Sequence, residues 1–239
     1  MIAMRTSMVK LATTKQQALE RSLREAIARG QLKPGTRLKQ QELATLFGVS
    51  PTPVRETLRR LEGDGLVQYA PNRGITVAQV DSLEIEEIYL MRMALEGLAI
   101  HEATQKLTPA DLAILTNLQE RMKRATAQGR LRTLRELNYD FHMAIYTRSG
   151  YNRLLQVVQA LWGLFPWDTI QVIPGRAETS MREHDEILRE LRAGSADRAE
   201  KRMRAHIAKS FSHLRTHLVK KRQIRGATTR PIHTGGLKV

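Results

Sequence analysis

The stretch that decides the fold is Leu43–Leu61, LATLFGVSPTPVRETLRRL. Its middle, Gly48-Val49-Ser50, separates two runs with helical periodicity. Upstream, Gln40–Leu46 reads as a short helix that Gly48 ends, because glycine adopts the left-handed conformation of a helix C-terminus at little cost. Downstream, Pro51–Glu62 reads as a second helix, with Ser50 as its N-cap, since a serine hydroxyl can accept a first-turn N–H. Val54, Leu58 and Leu61 recur at helical spacing and are expected to face a core. Thr52, Arg55, Glu56 and Arg59 then fall on the other faces. Gly63-Asp64-Gly65 breaks the helix.

The flanks complete the unit. Residues 15–29 form an amphipathic pattern with Ala18, Leu19, Leu23, Ala26 and Ile27 on one stripe and Gly30 as the stop. Pro34-Gly35 marks a turn. After the second helix, Leu66–Tyr69 and Ile75–Val77 read as two short strands joined by Ala70-Pro71-Asn72-Arg73-Gly74, a hairpin. Three short helices and a hairpin describe a winged helix-turn-helix, expected over residues 1–78. In this motif the second helix of the pair enters the DNA major groove with its N-terminal residues toward the bases. Arg55 is the first candidate, because a guanidinium bonds a guanine edge bidentately or holds a phosphate. Ser50, Thr52 and Arg59 accompany it. Gln41 on the preceding helix suits a phosphate or an adenine edge. Arg73 and Gly74 sit at the wing tip, where glycine permits close backbone approach.

Composition supports a polyanionic partner. The chain has 239 residues, 39 Lys+Arg against 24 Asp+Glu, a formal charge of +15 and no cysteine. The missing cysteines exclude disulfide scaffolds, thiolate zinc fingers, iron–sulfur clusters and cysteine nucleophiles. No apolar run approaches the ~20 residues of a membrane span, and the first residues lack a signal-peptide pattern, so a cytoplasmic protein is expected. The charge is uneven: +7 over residues 1–80, +2 over 81–219 and +6 over 220–239. Basic ends on a nearly neutral middle fit a nucleic-acid module attached to a different kind of body.

That body reads as helices alone, namely Ser82–Lys106, Pro109–Gln128 capped by Thr108, Leu131–Thr147, Asn152–Leu164, Arg176–Arg192 and Ala196–Lys221. They predict an all-α antiparallel bundle over residues 79–222, followed by a basic, disordered tail over 223–239. The fold class is therefore mainly α. Trp162, Phe165 and Trp167 are assigned to its core in preference to a pocket lining. Four polar residues stand where apolar ones are expected. Asn138 and His142 share a helix face beside Leu134, Leu137, Phe141 and Ile145. His184 lies on the stripe of Leu188 and Leu191, and His206 on that of Met203, Ser210 and Leu214. Three imidazoles and a carboxamide oxygen from three helices suit a divalent transition metal, zinc first, with nickel or manganese as further choices. The plainer alternative is a set of individually satisfied core histidines.

The motifs GQLKPGTRL (Gly30–Leu38), Leu43–Leu61, Gly65-Leu66-Val67 and NRGITV (Asn72–Val77) together resemble the GntR family of bacterial transcription regulators. That resemblance implies operator contacts at Ser50, Thr52 and Arg55, with Arg73 and Gly74 on the wing. The chain departs from it at Pro51 and Gln41, where many members carry Arg. Met91–Glu96, Asn138–Ile145, Glu183–Leu188 and Ala199–Ile207 resemble the FadR-type, metal-binding FCD domain of that family. The implied ligands are Asn138, His142, His184 and His206. Asn138 replaces the family's acidic residue, which predicts weaker metal binding. Asp140 is about 200° around the helix from His142 and does not substitute. The resemblance further implies a small organic acid effector beside the metal. Arg92 is the candidate for its far end, and an ion pair with Glu96 is the equal alternative for that residue.

These readings make the chain a ligand-responsive regulator of double-stranded operator DNA, acting as a homodimer because one recognition helix reads only a half-site. Two other classes compete. A metal-dependent hydrolase with an accessory DNA-binding domain requires a general base that the sequence does not display, and no H-E-x-x-H pattern occurs. A nonspecific architectural protein does not need a neutral body.

Overall fold

A computed structural model describes residues 15–80, 84–164 and 173–228, with side chains described as far as His217. These residues fall into two compact units: 15–80 with 156–164, and 84–155 with 173–228.

In the first unit, α1 (Lys15–Ala28) and α2 (Gln40–Phe47) both pack on α3 (Pro51–Gly63). Leu19, Leu23 and Ile27, four apart on α1, meet Val54, Leu58 and Leu61 of α3, all nearly or fully buried. Each such aliphatic side chain contributes roughly 1.5–3 kcal/mol by leaving water. Gly48 adopts φ 60° and closes α2 by donating its N–H back to that helix. Strands β1 (Val67–Ala70) and β2 (Gly74–Val77) pair antiparallel, Val67 opposite Val77 and Ala70 opposite Gly74. Asn72 and Gly74, at φ 63° and 72°, make the tip. The segment expected only as a turn does more. Arg37 bridges Thr76, and the Leu38 N–H donates to the Ile75 carbonyl, so 35–38 runs along the outer edge of β2.

The second unit contains α4 (Glu84–Thr104), α5 (Pro109–Ala127), α6 (Leu131–Thr147), α8 (Arg176–Arg192) and α9 (Ala196–Thr228). α4 packs on α6 and α9, α5 on α6 and α8, and α8 on α9, which closes a ring around a common interior. Thr108 caps α5 as its sequence implies. Its hydroxyl accepts from the Asp111 N–H and the Asp111 carboxylate accepts from the Thr108 N–H, a reciprocal box.

Two boundaries differ from expectation. Helix α7 (Asn152–Gly163) was assigned wholly to the bundle, yet residues 156–164 belong with the winged unit. Gly163 faces Leu66 and Ile27 so closely that a Cβ there would lie 2.5 Å from Leu66 Cδ2, and Leu164 packs on the same core. An apolar stripe shows that a helix is buried, not against which core. The last helix continues to Thr228, past Lys221, so the expected disorder does not begin at residue 223. Lys220–Arg225 are good helix formers, and Gly226 alone costs only about 1 kcal/mol. Phe165, Trp167 and residues 229–239 lie outside the described residues; Trp162 is fully buried.

Candidate functional site

In the winged unit, Ser50 takes the N-cap position of α3 with extended backbone, but its hydroxyl makes no capping hydrogen bond. The correction has a local cause. A capping hydroxyl accepts from the second or third helical residue; Pro53, the third here, has no N–H, which leaves only the Thr52 N–H, and the hydroxyl does not take it. The hydroxyl stays exposed at the helix N-terminus, where backbone dipoles favour a phosphate. Thr52, Arg55 and Arg59 are exposed as their spacing requires, while Val54 and Leu58 are inaccessible to solvent. Gln41 and Arg73 are likewise exposed, and Gly74 is half-buried.

Gln41, Arg55, Arg59 and Gly74 line one groove of about 530 Å³ between α3, the start of α2 and the wing. Arg37, Lys39 and Tyr69 line it as well, and the sequence reading missed them. Tyr69 is 69% exposed, an aromatic ring with no core to bury it. Strand alternation gives no signal for Tyr69, because it sets Tyr69 on the face of buried Val67. Nor is there one for Arg37, because its bridge to β2 is tertiary. Ser50, Thr52 and Arg73 do not line the groove.

In the helical unit, His142 of α6, His184 of α8 and His206 of α9 converge, and one ligand atom from each lies within 4.8 Å of the others. The ring centroids stand 4.8–5.4 Å apart. All three rings are buried. His142 Nδ1 meets the Tyr146 hydroxyl at 2.9 Å, and that hydroxyl donates to Glu96 Oε2 at 2.5 Å. Burial, reinforced by Glu96, pushes the Tyr146 phenol well above its ordinary value, so it keeps its proton for Glu96. Nδ1 of His142 must then be the donor, which leaves the lone pair on Nε2. His206 Nδ1 similarly donates to Glu183 Oε2 at 2.7 Å. Neither ring nitrogen of His184 has a hydrogen-bond partner among the described residues. Its ring stacks on Phe141, 4.7 Å away.

The three imidazoles are neutral. Burial, then the other histidines and the nearby arginines, lower His142 strongly. Burial followed by His206 and Arg176 does the same for His184. Burial also lowers His206, against the opposing pull of Glu183. Burial would raise the Glu183 carboxyl, but His206 and Arg176 outweigh it and hold it at about 2.

Arg92 makes the ion pair weighed for it, donating from Nε to Glu96 Oε1 at 2.5 Å with both side chains buried. Arg176, which the sequence reading missed, donates to Glu183 at 3.0 Å and is also buried. Arg176 and Glu183 are seven apart on α8, one position from the face of His184, a pattern legible in hindsight. Asn138 stands one turn before His142 and is only half-buried. No side-chain hydrogen bond holds it among the described residues.

A winged helix-turn-helix in a chain with a second, helical unit defines a DNA-binding regulator of two domains. Residues 15–77 match the family described as bacterial regulatory proteins, gntR family, and residues 87–209 match the FCD domain. The chain belongs to the gntR family, as a FadR-type transcription regulator with an FCD domain. Among its relatives, the HTH-type transcriptional regulator McbR of Escherichia coli K12 is 38% identical over 144 residues, covering 60% of this chain and 65% of McbR, just under two thirds. The uncharacterized HTH-type transcriptional regulator YdhC of Bacillus subtilis is 31% identical over 196 residues, covering 81% of this chain and 88% of YdhC. The solved structure of E. coli McbR/YncC has a TM-score of 0.75 at 29% identity, covering 86% of this chain and all but 1% of that one (99%). These relatives are named regulators, and the chain is a regulator, not the hydrolase kept as the alternative. GntR regulators bind operator DNA. Among the described residues no helix is long and apolar enough to cross a membrane.

Proposed function

We propose that this regulator senses a small carboxylate through a divalent metal held by His142, His184 and His206, and reads operator DNA as a cytoplasmic homodimer. The observation that carries the metal reading is His184. Burying an imidazole with two unsatisfied nitrogens costs free energy, and a cation shared with two other lone-pair nitrogens relieves that cost at the nitrogen that ligates it. Glu183 and Tyr146 orient the neighbouring rings as outer partners do in metal sites. Zinc suits this donor set first, with nickel or manganese next, and Asn138 is the candidate for an oxygen ligand. The bound ion supplies a Lewis-acidic anchor for an anionic oxygen.

The charge balance supports an anionic effector. Arg92 and Arg176 are offset by Glu96 and Glu183, and the three imidazoles are neutral. A divalent ion therefore leaves an uncompensated double positive charge in a buried site, which a small carboxylate offsets. Arg92 and Arg176 are the candidates for its far end. On the DNA side, Arg55 reads a base edge or holds a phosphate, with Ser50, Thr52 and Arg59 beside it. Gln41, Arg73 and Gly74 contact the flanks.

His184→Ala tests the metal. Elemental analysis of the purified variant should find less than a tenth of the wild-type content. A chelator should lower the melting temperature of the wild type and leave that of the variant in place. Equal metal content in the two proteins would exclude the site. Organic acids should raise the wild-type melting temperature more before chelation than after it.

A further inference from the structure

The last acidic residue of the chain is Glu200. On α9 before residue 210, Arg198, Arg202, Arg204 and Lys209 each meet a carboxylate, those of Glu190, Glu186, Glu200 and Glu183 respectively. The FCD match ends at residue 209, yet the helix runs on to Thr228. Ser210, hydrogen-bonded to Tyr89, and Leu214, fully buried, tie its start to the helical unit. From there on the pattern changes. Residues 210–239 hold seven Lys+Arg and no Asp or Glu. Five of them, Arg215, Lys220, Lys221, Arg222 and Arg225, stand on the helix within eleven residues, about 15 Å of its length.

A cation near a helix C-terminus is stabilised by the helix dipole, but that effect falls off within the last turn. It accounts for Arg225 and not for Arg215 or Lys220–Arg222, which lie further back. A rod carrying one positive charge per roughly 3 Å repels itself unless a polyanion neutralises it, and duplex DNA presents one phosphate per about 1.7 Å. We infer that the C-terminal extension of α9, Arg215–Arg225, is a second DNA-binding element that contacts phosphates without reading sequence. A DNA duplex is favoured as the polyanion because the same chain carries a winged module of the gntR family. The inference is independent of the metal centre.

The test uses the full chain and a 40-bp random-sequence duplex, with binding followed by fluorescence anisotropy as salt is varied. The quadruple variant Lys220→Gln, Lys221→Gln, Arg222→Gln, Arg225→Gln keeps good helix formers and removes four charges. Its plot of log affinity against log salt should lose about 3–4 units of slope per bound chain, at about 0.9 per phosphate contact. Exchanging the same positions between Lys and Arg should leave the slope at its wild-type value, which separates charge from helix structure. Preference for any selected duplex over the random one should not change in either variant. An unchanged slope in the glutamine variant, or a changed sequence preference, overturns the inference. So does binding of the wild-type chain, but not the variant, to anionic phosphatidylserine vesicles with no difference on DNA.

Discussion

The two units place their polar residues on opposite sides of their cores. In the winged unit, Leu19, Leu23, Ile27, Val54, Leu58 and Leu61 fill the interior, and Arg55, Arg59 and Gln41 lie outside it with solvated charge. In the helical unit, His142, His206, Arg92, Arg176, Glu96 and Glu183 lie inside and are tied into hydrogen-bond networks, with His184 buried among them. An exposed contact residue can be changed with little effect on stability, because water replaces its partner. A buried one cannot, because its loss leaves a desolvated group behind. Polar residues of the first unit are therefore separable from its folding, whereas the buried polar residues of the second are coupled to it.

Glu96→Ala should give the largest effect and bears directly on that contrast. It leaves Arg92 charged, buried and without its carboxylate, so the helical unit should lose about 3–5 kcal/mol in chemical denaturation. Replacing Arg92 and Glu96 together by Leu should cost less than Glu96→Ala alone. If the single and double variants were equally destabilised, the buried pair would not be the cause.

Arg55→Ala should do the opposite. The melting temperature should stay within a degree or so, while affinity for a selected operator duplex falls by about 1–3 kcal/mol and sequence preference relaxes. A loss of stability comparable to the loss of binding would remove the distinction between the units. Uniform weakening on every duplex would make Arg55 a phosphate clamp.

Thr108→Ala should give the smallest effect, about 1 kcal/mol of stability, through loss of one half of the capping box on α5. The Asp111 carboxyl is held below its ordinary value by the Thr108 backbone N–H first, then by the Thr108 hydroxyl and Arg148. A depressed carboxyl stabilises the fold above its unfolded value, near 4, and that contribution disappears as pH falls through the lower folded value. The difference between wild type and Thr108→Ala should thus narrow below about pH 4. A difference constant across the acid range would place the cap's contribution elsewhere.

Local patterns carried most of the architecture. The Gly48–Ser50 break, the hairpin around Asn72-Arg73-Gly74, the Thr108 cap and the bounds of α6 and α8 each follow from residues within a few positions of one another. Exposure of Arg55 and Arg59 follows from the same source, since a helix with Val54, Leu58 and Leu61 inward has no other face for them. The convergence of His142, His184 and His206 was partly legible. Each stands on its own apolar stripe, but spacing cannot say that three stripes meet at one point. Ser50 shows where a local rule is weakened locally, because Pro53 withholds one of the two N–H groups that the rule can use.

Periodicity, caps and turn residues are properties of neighbours along the chain, and they specify which segments are helices and which faces turn inward. The pairing of Arg176 with Glu183 against His206, the Arg37 bridge to Thr76 and the seating of residues 156–164 on the winged core arise between segments far apart in sequence. Those depend on which buried surfaces fit together, because a hydrophobic stripe is non-directional and does not name its partner.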